Sequence, residues 1–310
     1  MHQQVHSAGR SMTLTANLRA YYALTKPKVV ALIVFTAIVG MFLSTPGAVP
    51  LTALCFGTLG IGFAAASAAA VNHVLDRRAD AAMARTSGRP LPTGTLSTRQ
   101  SLVFAILLAA VSMAILAGLV NLLTAILTLL TIIGYAVVYT AYLKRATPQN
   151  IVIGGAAGAA PPVLGWSAVT GQVDPHALLL FLIVFVWTPP HFWALAIHRE
   201  REYANVDIPM LPVTHGIEFT RVQILLYTIL LIPVSVLPFV ARMSGWLYLV
   251  GALVFGGIFL CYAVALKFFP RPGLAMKTFG YSIVYLMAIF TLLLLDHYLP
   301  PLTGLLSGAA

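Results

Sequence analysis

Three oxygen-bearing side chains recur every four residues where a long apolar segment ends: Asn72, Asp76 and Asp80. Positions four apart share one face of an α-helix, so these side chains would lie about one turn from one another. Mg²⁺ in proteins takes oxygen ligands, uses one or two carboxylates, and completes its shell with water and substrate phosphates. The spacing therefore predicts a magnesium site for a phosphate-bearing substrate, and the alternative is a solvated, charged helix end.

Basic side chains follow these acids closely. Arg85 and Arg89 lie in a segment whose glycines and prolines end the helix and shape a compact loop. The planar guanidinium group matches phosphate oxygens with two parallel hydrogen bonds. Lys144 and Arg145 follow a later apolar segment, where a membrane-orientation signal and a phosphate contact are equally good interpretations. Carboxylates interleaved with arginines suit a polyanion bridged by a metal ion.

A second charged segment follows the sixth apolar stretch. Glu202 and Asp207 could hold a second metal ion, because both offer carboxylate oxygens. Glu200 and Glu202 also alternate with Arg199 and Arg201, so ion pairing among these four residues is an equally good interpretation. The sequence leaves both interpretations open.

One ionisable ring lies deep in the sixth apolar stretch. Pro189 and Pro190 are expected to break the helix there before the chain reaches water. His191 follows them, and an ionisable group at such depth indicates a functional site. The alternative is a hydrogen bond between His191 and a carbonyl group that the prolines free. Trp187 and Trp193 flank the ring, either as interface residues or as a platform for a flat aromatic ligand.

The fifth apolar stretch combines glycines with a Pro161–Pro162 pair. Small residues permit close contact between helices. The functional alternative is a widened hollow beside the two prolines.

The elements that must position these residues are membrane-spanning helices. Hydrophobic residues make up 60% of the 310 and charged residues 8%, against roughly 25% charged in soluble domains. The mean hydropathy is +0.93. Apolar runs of about 20 residues can cross a bilayer as helices, so the composition excludes a soluble enzyme with a single anchor. We predict an all-α, polytopic membrane protein with nine transmembrane helices, at residues 28–45, 51–74, 101–119, 121–142, 151–169, 177–197, 221–241, 245–268 and 278–298.

The charges orient these spans. Of the 18 Lys and Arg residues, all but Arg242 fall on one side of the predicted membrane. The positive-inside rule places that side, and the N-terminus, in the cytoplasm, and nine crossings leave the C-terminus outside. The net charge of +10 therefore faces anionic headgroups and predicts no nucleic-acid partner.

Two acidic loops four spans apart suggest two related four-helix halves with a ninth helix added. We expect a cytoplasmic or interfacial segment at residues 1–27, an intramembrane domain at 28–298 and a short outer tail at 299–310.

Over about residues 20–298 the chain resembles the UbiA superfamily of intramembrane prenyltransferases. The motif that marks the superfamily is Asn72-x3-Asp76-x3-Asp80, and its extension Met83-x-Arg85-Thr86-x2-Arg89-Pro90 indicates a branch that modifies haem. The stretch from Thr188 to Ala196 indicates the same branch. Further matching motifs are Thr25-Lys26-Pro27-Lys28, Leu143-Lys144-Arg145-x-Thr147-Pro148, Asn150–Gly155 and Pro209-Met210-Leu211-Pro212.

The resemblance implies nine helices around a central chamber in the cell inner membrane. It implies farnesyl diphosphate as donor, haem b as acceptor and Mg²⁺ as cofactor. The product would carry a hydroxyethylfarnesyl group at one haem vinyl and serve haem–copper oxidases. Such an oxidase, or the next enzyme of haem A synthesis, is then an expected partner beside the lipid bilayer.

The resemblance also suggests roles for individual residues. We expect catalytic roles for Asp76, Asp80, Arg85 and Lys144. We expect diphosphate contacts from Arg77, Arg85, Arg89, Lys144, Arg145 and Arg199. We expect haem contacts from His191, His73, Trp187 and His198. We expect metal ligands at Asn72, Asp76, Asp80, Glu202 and Asp207.

Two positions depart from the family pattern. Asp207 stands where relatives of the haem branch often have Gly, which leaves open whether one or two Mg²⁺ ions are used. Thr140 stands four residues before Lys144, where some superfamily members place Tyr.

Other functions remain as alternatives. Prenylation of a small aromatic acid or quinone precursor would use the same donor site. A transporter would need ionisable groups spread through the midplane, whereas this chain gathers them at one face. A scaffold for oxidase assembly would leave the Asn/Asp array unexplained.

Overall fold

The structure, a computed structural model, describes residues 14–299, and regular structure in that part of the chain is helical without any β-strand. The predicted segment 1–27 lies partly outside the described residues, and the tail 299–310 lies almost wholly outside them. The all-α prediction is confirmed.

Thirteen α-helices follow one another in the described chain, and two of them continue as π-helices. The α-helices are α1 (Leu14–Leu24), α2 (Pro27–Leu43), α3 (Leu51–Ala82), α4 (Thr98–Ile115), α5 (Leu122–Ile133), α6 (Lys144–Ala146), α7 (Asn150–Ala159), α8 (Pro161–Thr170), α9 (Pro175–His198), α10 (Glu200–Ala204), α11 (Leu211–Val240), α12 (Trp246–Phe268) and α13 (Leu274–Tyr298). The π-helices are Leu116–Val120 after α4 and Gly134–Leu143 after α5.

Eight helical segments of the described chain are long and apolar enough to cross a membrane. A ninth span arises when the end of α1 and the whole of α2 count as one element bent by 48°. The nine spans that the apolar runs predict agree with this count. The relation between two four-helix halves stays a prediction.

The length of α3 explains how the Asn/Asp face reaches the membrane surface. The helix has 32 residues, which at 1.5 Å per residue extend about 48 Å. The hydrocarbon core is only about 30 Å thick. The last turns of α3, which carry Asp76 and Asp80, therefore emerge on the side where the basic loops lie.

A π-helical segment, Gly134–Leu143, leads directly into Lys144. Within it, the Thr140 hydroxyl donates a hydrogen bond of 2.8 Å to the Tyr135 carbonyl five residues earlier. π-Helical turns occur often at functional sites. Apolar periodicity does not distinguish such a segment from an α-helix, so the sequence did not predict it.

Two close helix contacts fix α2 against α8. A Cβ atom at Gly165 would lie 1.9 Å from the Ala37 carbonyl oxygen, and one at Gly40 would lie 2.2 Å from the Pro162 carbonyl oxygen. Only glycine allows backbones to approach this closely. The contacts hold α2, and with it the Lys26 segment before it, against the rest of the bundle.

The expected break at Pro189 and Pro190 is wrong, because α9 runs without interruption to His198. A proline removes a backbone donor, but α9 packs against α7, α11 and α13, which hold it in helical form. The helix is divided instead at Ala160, before Pro161, where α7 passes into α8, although Ala160 itself keeps helical dihedral angles.

A cavity lies next to the Pro161–Pro162 pair, where a widened hollow was the functional alternative to close helix packing. This open cavity of about 450 Å³, with Leu130, Val138 and Ile153 exposed along it, lies between α5, the π-helical segment that follows, and helices α7, α8 and α9. Its lining includes Ala160, Val163 and Leu164 next to the prolines, and it extends to Leu143. Apart from Thr131 and the hydroxyl of Tyr139, its lining side chains are apolar.

Candidate active site

One buried face of α3 carries the predicted metal ligands. Asn72, Asp76 and Asp80 are 4%, 3% and 5% exposed. The Asn72 amide donates a hydrogen bond of 2.9 Å to Asp76 Oδ2, so the two side chains lie side by side as the four-residue spacing predicts. Carboxylates are rarely buried without partners that compensate their charge, so the residues around Asp76 and Asp80 must supply cations or hydrogen-bond donors.

Three cationic side chains from three separate segments contact this face. Lys144 Nζ lies 2.5 Å from Asp76 Oδ2, and Arg89 lies 2.7 Å from Asp80 Oδ2. Lys26 donates a hydrogen bond to Asn72 Oδ1. Two carboxylates thus face three basic side chains, an arrangement that suits a bound polyanion.

Lys26 is a site residue that the sequence analysis placed in a motif but did not assign a role. It lies between α1 and α2 with φ of 49°, in the left-handed region that non-glycine residues rarely adopt. Residues in such conformations cluster at ligand sites, where surrounding contacts hold them. The sequence feature that could have identified Lys26 as a site residue is its position directly before Pro27, at the start of α2.

One oxygen of the site lacks a partner. Asp76 Oδ1 is buried, and no hydrogen-bond donor for it exists among the described residues. A buried carboxylate oxygen without a partner is unfavourable by several kcal/mol unless a cation or donor reaches it. Together with the other oxygen donors on this face, Asp76 Oδ1 makes a set that fits a hard divalent cation.

The loop after α9 packs against the end of α3. Ala79 and Met83 share an apolar cluster with Ile208 and Met210, and Tyr203 packs on it. Burial raises the pKa of Tyr203, while the nearby Arg85 guanidinium opposes that rise. The two acidic loops predicted on one side of the membrane therefore meet.

The six basic residues expected at a diphosphate divide into two groups. Arg89 and Lys144 contact the carboxylates directly. The others are arranged differently: Arg85 and Arg145 are exposed, Arg199 pairs with Glu202 at 2.5 Å, and Arg77 donates to the Val74 carbonyl of its own helix. Arg77 follows Asp76 by one residue, so it projects about 100° away around α3.

The second acidic pair is not gathered into the first. Glu202 is engaged by Arg199, and Asp207 is an exposed turn residue with φ of 52°. Within residues 14–299, no three His, Cys, Asp or Glu side chains form a metal-binding group. A metal role for Glu202 and Asp207 stays a prediction.

His191 lies in a buried aromatic cluster between α9 and α13. Its ring stacks on Trp187 at 4.2 Å and on Phe279 at 4.4 Å between ring centroids. Its Nδ1 lies 2.6 Å from the Ser282 hydroxyl, and the Trp187 indole donates to the Ser282 carbonyl at 2.7 Å. His191 therefore does not bond to a carbonyl freed by proline, which was the alternative interpretation; its partner is a serine that the sequence analysis did not single out.

The other two histidines expected at haem differ in burial. His73 is 3% exposed, and neither ring nitrogen has a hydrogen-bond partner among the described residues. It adjoins Asn72 in α3, near the charged cluster. His198 is exposed at the last residue of α9.

The family of the chain follows from comparison with known proteins. The model of the UbiA prenyltransferase family matches residues 33–292, and the chain belongs to this family. It is a multi-pass membrane protein with the all-helical prenyltransferase fold, as the resemblance implied.

Individual relatives are close. A protoheme IX farnesyltransferase of Methylococcus capsulatus is 66% identical over 281 residues, which cover 91% of this chain and 94% of the relative. A protoheme IX farnesyltransferase of Nitrosococcus oceani is 64% identical over 284 residues, with coverage of 92% and 95%.

Solved structures share the fold. A structure of digeranylgeranylglyceryl phosphate synthase superposes with a TM-score of 0.76 at 17% identity and covers 91% of this chain and 98% of its own. A UbiA homologue from Archaeoglobus fulgidus bound to DMAPP and Mg²⁺ superposes with a TM-score of 0.63 at 20% identity, with coverage of 88% and 99%.

Proposed function

We propose that this chain transfers the farnesyl group of farnesyl diphosphate to a vinyl group of haem b, giving haem O with its hydroxyethylfarnesyl side chain. Relatives at 59–66% identity over most of the chain carry the name protoheme IX farnesyltransferase. The observation that supports the chemistry is the buried Asn72–Asp76–Asp80 face with its three cations and its unpartnered carboxylate oxygen.

Mg²⁺ would be held by oxygens of Asn72, Asp76 and Asp80. The homologue from Archaeoglobus fulgidus binds this ion together with an isoprenyl diphosphate. Bound with the substrate, the ion supplies positive charge next to the leaving diphosphate. Asp80 and Asp76 also fix the positions of Arg89 and Lys144, whose N–H groups donate hydrogen bonds to the two carboxylates.

The basic residues bind and polarise the diphosphate. Lys26, Arg89 and Lys144 already lie at hydrogen-bond distance from the oxygen face, so their N–H groups can donate to diphosphate oxygens bound there. Arg85 extends this positive surface from the loop beside Tyr203. Stabilising the negative charge that develops on the departing diphosphate lowers the barrier to breaking the C1–O bond of the donor.

The farnesyl chain is expected in the apolar cavity that extends to Leu143, the neighbour of Lys144. Its volume of about 450 Å³ lies within the range of about 300–1,000 Å³ typical of ligand sites. Apolar walls keep water away from the allylic carbon after the C1–O bond breaks.

The acceptor completes the reaction. The haem vinyl group attacks the allylic carbon, and the positive charge moves to the vinyl carbon next to the ring. Water adds there and releases a proton, so farnesyl diphosphate, haem b and water give haem O and diphosphate. We place haem b at the edge of the His191 imidazole, whose two faces are covered by Trp187 and Phe279.

The decisive experiment is the mass of the product. The purified chain in lipid nanodiscs receives farnesyl diphosphate, Mg²⁺ and either haem b or a small aromatic acid. A product heavier than haem b by one farnesyl group and one hydroxyl group supports the proposal. Prenylation of the aromatic acid alone would favour the alternative acceptor class and refute the proposed one.

Cellular placement follows as part of the proposal. We propose the inner membrane, with the N-terminus in the cytoplasm and the C-terminus outside, because the cationic loops gather on one side. The next enzyme of haem A synthesis or a haem–copper oxidase would receive the product. Reporter fusions at the two termini test the orientation.

A further inference from the structure

The aromatic cluster at His191 leaves only the edge of its imidazole available. Trp187 covers one ring face and Phe279 stacks on the ring with interplanar angles of 19° and 24°. The residue is 7% exposed. Whatever His191 does must therefore involve its two ring nitrogens.

The hydrogen bonds of Ser282 decide which nitrogen carries the proton. The Ser282 hydroxyl lies 2.6 Å from His191 Nδ1 and also 2.6 Å from the Phe279 carbonyl oxygen. A carbonyl can only accept, so the hydroxyl proton can go to Phe279 while the hydroxyl oxygen accepts from Nδ1–H. That arrangement makes two hydrogen bonds. The other tautomer makes one and leaves Nε2–H as a donor without a described partner.

The count of hydrogen bonds therefore favours the tautomer with the proton on Nδ1. No acidic side chain contacts His191 in the described chain, and its surroundings are aromatic, so the ring is neutral. Nε2 then carries a free lone pair, and no hydrogen bond to it is present among residues 14–299. A neutral imidazole with one nitrogen held by a hydrogen bond is the form that binds metals.

We propose that Ser282 is a positioning residue that holds His191 in the Nδ1–H tautomer, so that His191 Nε2 binds the iron of haem b. The proposal rests on the proposed function, because it takes haem b as the acceptor. In this proposal α13 acts indirectly: its residue Ser282 orients His191, and His191 contacts the haem. The Trp187 bond to the Ser282 carbonyl holds the same two helices together, and a change of the Ser282 side chain leaves it in place.

The tautomer is measured without haem. Nitrogen-15 spectra of the full chain with labelled histidine, compared with those of His191→Gln, identify the His191 signals. We expect a neutral ring with its proton on Nδ1, and a tautomer population that shifts in Ser282→Ala. A proton on Nε2, or an unchanged population in Ser282→Ala, overturns the proposal.

Haem binding gives the second readout. Loss of a hydrogen-bond partner behind a metal ligand typically weakens metal affinity by about 10–100-fold. We expect Ser282→Ala to raise the haem b dissociation constant on the order of tenfold and to change the Soret band and the ferric electron paramagnetic resonance spectrum. The KM for farnesyl diphosphate should stay unchanged. Ser282→Thr, which keeps the hydroxyl, should restore the wild-type spectrum.

The outcomes separate the two claims. If the wild type forms farnesylated haem while His191→Ala and Ser282→Ala bind haem b as tightly and with the same spectrum, the positioning role is refuted and the proposed function stands. If the wild type forms no farnesylated haem, the proposed function fails and the haem ligand fails with it. Thermal unfolding of each variant shows that the chain remains folded.

Discussion

Replacing Asp76 by Asn tests the oxygen face with the smallest change in shape. The residue is 3% exposed and accepts hydrogen bonds from Asn72 and from Lys144 at 2.9 and 2.5 Å. Its other oxygen has no partner among the described residues and is the atom best placed for a metal ion. Asp76→Asn keeps the volume but removes the charge that both the ion and Lys144 require.

The expected loss of activity is estimated from the removal of similar charge-stabilising groups in other enzymes. Removing one preorganised group that stabilises developing charge lowers kcat by about 10²–10³-fold, or about 3–4 kcal/mol. We expect Asp76→Asn to lower farnesyl transfer by this factor at saturating Mg²⁺, with a higher Mg²⁺ requirement. The assay is the initial rate of farnesylated haem formation in nanodiscs.

Two controls separate chemistry from folding. Asp174→Asn makes the same change at the N-cap of α9, a residue that contacts His176, and it should leave the rate unchanged. Asp76→Asn leaves Lys144 without its carboxylate, and an unpaired, partly buried charge is destabilising. The double variant with Lys144→Gln removes that charge and should recover thermal stability but not activity. Near wild-type turnover in Asp76→Asn would refute the metal-bridged site.

Three further outcomes are expected. Lys26→Met should raise the KM for farnesyl diphosphate about tenfold, because one charge-assisted contact is lost. Lys28 is an exposed lysine of the same motif, so Lys28→Met should leave the KM unchanged. Equal KM values in the two variants would show that Lys26 does not contact the diphosphate. Gly165→Ala should destabilise the bundle by about 1–3 kcal/mol through overpacking, whereas Gly158→Ala, with open space around its Cβ, should be neutral in thermal unfolding. Excess chelator should abolish turnover, and added Mg²⁺ should restore it; turnover that persists in chelator contradicts the metal requirement.

Apolar runs predicted the spans, and the four-residue spacing predicted that Asn72, Asp76 and Asp80 share one helix face, because both follow from helix geometry and bilayer thickness. The sequence did not show the π-helix before Lys144, since its apolar pattern is that of an ordinary span. It also misjudged Pro189 and Pro190, where packing from neighbouring helices keeps α9 intact. Such packing is a tertiary property that a local pattern does not encode.

The basic residues at the site were likewise predicted only in part. Lys144 and Arg89 were expected and lie on the carboxylates, but Arg77 bonds to its own helix because of its angular position on α3. Lys26 and Ser282 reach their partners, Asn72 and His191, from spans far away in sequence. Pairs that are 46 and 91 residues apart leave no local signal in a single sequence.

The most direct test of the central claim measures binding of a farnesyl diphosphate analogue whose C1–O bond cannot break, by calorimetry in nanodiscs. The account predicts tight binding that requires Mg²⁺ and that weakens at least tenfold in Asp76→Asn. Equal affinity with and without Mg²⁺, and in both proteins, would contradict a diphosphate held through a metal ion on the Asn72–Asp76–Asp80 face.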